Sequence, residues 1–97
     1  MNANEYINGM ADLLRTTSAE VKVEDIDGRK RIAAKFHSVG EMNSEMKKAF
    51  IANAETLKAL NAGLKALRAS GEIKAATNGY APTLLEGGIE FRMDFSF

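Results

Sequence analysis

The one histidine of the chain, His37, stands beside Ser38 and four residues before Glu41, the residue types of a base, a nucleophile and an orienting acid. Such a set works only where the fold holds all three rigidly toward one point, and neighbours on an extended chain face opposite ways. Ser38 also opens Ser38-Val39-Gly40-Glu41, a capping box in which the serine oxygen takes an orphan amide and the glutamate reaches back. The hydroxyl is therefore expected to serve the backbone. One histidine without any cysteine cannot furnish a convincing zinc site. Carboxylates gather at Glu24, Asp25 and Asp27, yet a hydrolytic pair needs a cleft that so small a fold seldom builds alone. The glycines follow neither the phosphate-loop nor the dinucleotide pattern. No catalytic residue, cofactor or metal is expected, and the chain reads as a non-enzyme.

Basic residues offer a second kind of chemistry. Arg29, Lys30 and Arg31 follow Asp27-Gly28 directly, Lys47 and Lys48 form a pair, and Lys58, Lys65 and Arg68 form a helical stripe. Bound nucleic acid draws most of its non-specific affinity from phosphate contacts. With 13 bases against 13 acids the net charge is zero, so no global field would attract a polyanion. None of these bases interleaves with exposed aromatics as a stacking platform would.

The elements that hold these residues follow from periodicity. Tyr6, Ile7, Met10, Leu13 and Leu14 collect on one face of a helix over residues 4–17, with Asn2 or Asn4 as its cap and Gly9 as a weak point inside it. From Glu20 the period drops to two. Val21 and Val23 precede Asp27-Gly28, and Ile32 and Ala34 follow it, which predicts a hairpin over 20–36 closed by a type I′ turn. That register places Glu24 across from Arg31, Asp25 from Lys30 and Glu20 from Lys35, where ion pairs would fix the pairing. Only Arg29 lacks a counter-charge opposite. The inward face is then Val21, Val23, Ile32, Ala34 and Phe36.

After the capping box, Val39, Met46, Phe50, Leu57, Leu60, Leu64 and Leu67 fall on a heptad seam once Asn43 and Asn53 are counted, predicting a long helix over 39–70 that ends at Gly71. At 1.5 Å per residue it would measure about 45 Å, far longer than a globule with a radius of gyration near ~13 Å can cover. Either it breaks near Asn61-Gly63 or it packs on a second copy. Its flanks are rich in alanine, which suggests cover on more than one side. Phe50, Asn53, Leu57, Leu60, Leu64 and Leu67 are the expected dimer interface, with Asn53 either setting register or lying at the wet end of the seam.

Residues 71–82 read as an irregular connection, with a short strand at most over Glu72–Ala76. Residues 83–97 read as a strand or hairpin: Ile89, Phe91, Met93, Phe95 and Phe97 alternate with polar residues, and Gly87-Gly88 could turn them back on Thr83–Glu86. The fold class is α+β, a single domain with one antiparallel sheet packed on the long helix.

The 97 residues contain no low-complexity run and no apolar stretch near the length of a membrane span, and residues 1–10 show no basic segment followed by an unbroken apolar run, so a secretory leader is not expected. A cytoplasmic location is expected, and no membrane partner. Compactness of this order also suits a viral accessory protein. The leading expectation is an interaction protein, an adaptor or inhibitor of a macromolecular partner, acting as a homodimer. The alternative is a nucleic-acid-binding accessory protein that uses Arg29, Lys30 and Arg31, helped by Lys47 and Lys48.

Overall fold

The computed structural model of the protein describes every residue from Met1 to Phe97. Three helices and four strands follow one another as α1 (Ala3–Leu14), β1 (Glu20–Ile26), β2 (Arg29–Phe36), α2 (Val39–Ala52), α3 (Ala54–Ser70), β3 (Ala75–Pro82) and β4 (Ile89–Ser96). The strands form one antiparallel sheet in the order β1-β2-β4-β3, with the helices against one face. The fold is therefore α+β, as the patterning implies.

Helix α1 begins with a capping box: the Asn2 side chain accepts from the Glu5 amide at 2.8 Å, and Glu5 accepts from the Asn2 amide at 3.1 Å. It ends at Leu14, three residues short of the expected Thr17, because the Thr16 and Thr17 hydroxyls donate to the carbonyls of Leu13 and Leu14 and turn the chain. Its apolar face is fully buried. Tyr6 meets Phe95 edge-on at 5.6 Å, and Ile7, Met10 and Leu14 complete a core with Ile32, Ala34, Phe36 and Phe91. Gly9 has a positive role: a β-carbon there would lie 2.7 Å from a Leu60 methyl, so its absence lets α3 approach α1.

The hairpin has the expected register, with Asp27 at φ 50° and Gly28 at φ 78° in the turn. The expected ion pairs across it do not close. Arg31 turns instead to Asp94 on β4, at 2.7 and 3.2 Å. Lys30 donates to Asn4 on α1, and Lys22 and Glu20 pair along their own strand. Arg31 thus sits between two carboxylates, Glu24 on β1 and Asp94 on β4, and its bidentate hydrogen bonds go to Asp94.

The long helix is broken, at Asn53 rather than near Asn61-Gly63. Asn53 leaves helical geometry (φ −116°, ψ 34°), and both its amide and its side-chain nitrogen donate to the Ala49 carbonyl, so that a second donor crowds this carbonyl where the helix is interrupted. Pieces of 14 and 17 residues remain, about 21 and 25 Å long. The radius of gyration, 13.4 Å, is that of a compact chain of this size. The length argument for a second copy therefore loses its unbroken rod of about 45 Å.

Residues 75–82 form a full strand, where an irregular connection was expected. β3 pairs with β4 from Ala75↔Ser96 to Pro82↔Ile89, and the turn between them runs from Thr83 to Gly88 with Gly87 at φ 75°. Weak intrinsic propensity in Ala-Ala-Thr-Asn-Gly-Tyr-Ala-Pro is overridden by an apolar partner strand, and proline at the end of an edge strand loses no ladder bond.

Candidate functional site

The helix layer is narrower than the sheet. α1 lies over β1 and β2, α2 over β2, and α3 rests chiefly on α1, which leaves the inner face of β3 without a lid. Between this strand and the bend of α2 and α3 opens a cleft of about 520 Å³, ten of whose twelve lining residues are apolar. Met46, Phe50, Leu57 and Leu64 form its helical wall, Ala76, Asn78 and Tyr80 its strand wall, and Tyr6, Met10, Phe91 and Met93 its floor. Its volume falls in the ~300–1,000 Å³ range of ligand and segment sites, and methionines among aromatics make an adaptable lining. Tyr80, packed at 5.6 Å on Phe91, is 63% exposed at the rim. Tyr6 is buried in the floor, and burial alone raises its hydroxyl above the usual tyrosine range.

The seam residues thus divide into two groups. Leu60 and Leu67 are buried inside the subunit, while Phe50, Leu57 and Leu64 are half-buried along the cleft. Asn53 serves the bend. The alanines at 54, 59, 62, 66 and 69 are exposed to solvent, so α3 is covered on one side, not several. A shallower hollow continues from the cleft along α3 past Asn61 and Leu64 to Lys65 and Arg68.

The basic candidates are mostly engaged elsewhere. Arg31 and Asp94 hold each other: the hydrogen bond between them raises the guanidinium and draws the carboxyl below its usual range. With Glu24 and with Arg92, which pairs with Glu90 at 2.5 Å, they belong to the outer sheet face. There Glu20-Lys35-Glu90 and Glu24-Arg31-Asp94 flank the row Lys22-Ala33-Arg92. Four bases and four acids balance on these three rows, which leaves no net charge there to attract a polyanion. Lys30 is tied to Asn4, Lys48 lies 4.0 Å from Glu45, and Lys47 projects into solvent from α2. Only Arg29 of the tip makes no hydrogen bond or ion pair.

At His37 the three groups come together around the start of α2. Ser38 caps α2 by accepting from the Glu41 amide at 3.1 Å. Glu41 accepts from the His37 amide at 3.0 Å, lies 3.2 Å from the His37 ring, and accepts from the Ser18 hydroxyl. The Ser18 bond is the main reason its carboxyl titrates below the usual range. Glu45 accepts from the Ser18 amide, so the start of α2 is laced to the α1–β1 connection. A wider hollow nearby, about 610 Å³ with three apolar residues among ten, includes exposed Leu84 and Leu85 and lacks the cleft's continuous apolar lining.

Helical spacing puts Phe50, Leu57 and Leu64 on one face, whereas nothing in residues 71–82 marks the strand that carries Asn78 and Tyr80. Residues 75–82 contain the only proline and one aromatic, which is too weak a signal for a strand wall. No helix is long and apolar enough to cross a membrane. Compared with family models, curated proteins and solved structures, the chain matches none of them.

Proposed function

We propose that this is a non-catalytic interaction protein, an adaptor or inhibitor, that receives an apolar segment of a partner protein in the cleft between β3 and the bent helix. The observation that carries the reading is the division of the seam: a stretch of leucines and aromatics that could have been buried at home is left half-open along a preformed, methionine-rich groove. A single subunit supplies the whole groove, so the reading requires no second copy. Nucleic-acid binding through the hairpin tip has less to draw on, since two of its three bases already have partners in the fold.

The test is affinity capture from native host extract with three baits, the wild-type chain, Leu64→Glu, and a triple alanine variant of Arg29, Lys30 and Arg31, each with and without nuclease. A protein retained by the wild type and the tip variant, resistant to nuclease and lost with Leu64→Glu, supports the cleft. Capture that fails after nuclease, or with the tip variant alone, transfers the function to the hairpin.

A further inference from the structure

The sheet has two free edges, and they differ in kind. β1 carries Glu20, Lys22, Glu24 and Asp25, the charges by which natural edges resist added strands. β3 carries no charge from Ala75 to Pro82, and β4 pairs with one side of it only. Half of its backbone donors and acceptors therefore face outward, along the lip of the apolar cleft. A strand laid against this edge would sit about 4.8 Å beyond β3 and point alternate side chains inward, toward the wall made by Leu57 and Leu64.

Charge narrows the choice of occupant. No carboxylate lines the cleft or the hollow that continues from it, and the only charged groups there are Lys65 and Arg68. Neither makes a salt bridge: the pairs in the protein are Arg15–Asp12, Lys22–Glu20, Arg31–Asp94, His37–Glu41, Lys48–Glu45 and Arg92–Glu90. A second copy is disfavoured. Two β3 edges joined about a twofold axis would bring both basic stripes to the same side of the seam, and β1 of one copy would bring its charged edge to β3 of the next in a head-to-tail contact.

Resting on the cleft reading above, we infer that β3 takes an extended partner segment, alternately apolar and with acidic residues, as a fifth strand whose inward side chains enter the cleft and whose carboxylates meet Lys65 and Arg68. Backbone pairing would supply affinity, and the cleft and basic lip would supply specificity.

A phage-displayed random peptide library panned on the full chain, with counter-selection on Leu64→Glu, tests this. Enriched peptides are expected to alternate apolar residues with neighbours rich in Asp and Glu. A synthetic lead should shift the backbone amide signals of Ala76, Asn78 and Tyr80, and methylation of its alternate backbone nitrogens should abolish binding. Lys65→Glu with Arg68→Glu should weaken binding about tenfold or more, the loss of one or two charge-assisted contacts. Peptides spaced at three and four residues that tolerate methylation and still depend on Leu64 would overturn strand addition and leave the cleft reading standing. No enrichment over the Leu64→Glu control sinks both. Concentration-dependent self-assembly that perturbs the β3 amides without peptide assigns the edge to a second copy and overturns the inference.

Discussion

Arg31 and Asp94 join β2 to β4 through a bidentate pair at 2.7 and 3.2 Å. Facing residues across a turn can be counted from the turn itself, whereas β2–β4 pairing joins residues some sixty positions apart that nothing local specifies. The pair makes a pH prediction. Because the folded protein holds the Asp94 carboxyl below its ordinary value, its contribution is present above the unfolded pKa near ~4 and is lost as pH falls through the lower folded value. Asp94→Asn should cost about 1 kcal/mol at neutral pH, and denaturant melts should show the gap from wild type closing as pH falls below about 4. A gap unchanged in strong acid would mean that the pair is not the source. Gly9 is the other informative single residue. Its helical cost against alanine is about 1 kcal/mol, yet a β-carbon there meets Leu60, which is 3% exposed and has little room to move. Gly9→Ala should therefore be neutral to destabilising in the wild type and stabilising in a Leu60→Ala background. A double-mutant cycle with a coupling near zero would remove the close-approach account.

Elements were legible in the sequence where the pattern is local and strong. α1, the hairpin with its register, both ends of the 39–70 helical region and the alternation of β4 each follow from periodicity plus one capping or turn residue. β3 was lost because its eight residues have no propensity of their own, and the helix break was misplaced because Asn61-Ala62-Gly63 looks more like a breaker than Asn53 does. At the break the Asn53 side chain donates to Ala49 at 2.8 Å, a bond invisible in composition. Asn53→Ala exchanges that bond, worth about 0.5–1.5 kcal/mol, for a gain in helix propensity of about 0.6 kcal/mol. Stability should change little. The side-chain signals of Phe50 and Leu57 should nevertheless move as the bend relaxes, and unmoved signals would show that packing, not the amide, holds it. Along α3 the seam's division predicts a contrast. Leu67→Ala, at a buried site, should cost about 2–5 kcal/mol, and Leu64→Ala, half-open on the cleft, about 1 kcal/mol or less. Equal costs would mean that the cleft is closed in solution.

For the whole molecule, the layers follow from the sequence, while the case for a second copy rested on an unbroken helix that the structure interrupts at Asn53. A 45 Å rod would have demanded a partner helix; a rod bent at its middle places one half of its seam on α1 and leaves the other half facing a sheet edge. The helix layer therefore ends before the sheet does, and the open ground is a groove rather than a flat apolar face. Grooves of this kind admit a chain segment more readily than they admit a second globule, whose convex surface would bridge the lips without filling the floor. At micromolar concentration light scattering should give the 10.5 kDa monomer, and the particle should gain mass only when a cleft-binding segment is added. A stable dimer whose formation is abolished by Leu64→Glu would show instead that each copy fills the groove of the other, and the cleft would then be an assembly surface with no vacancy for a foreign partner.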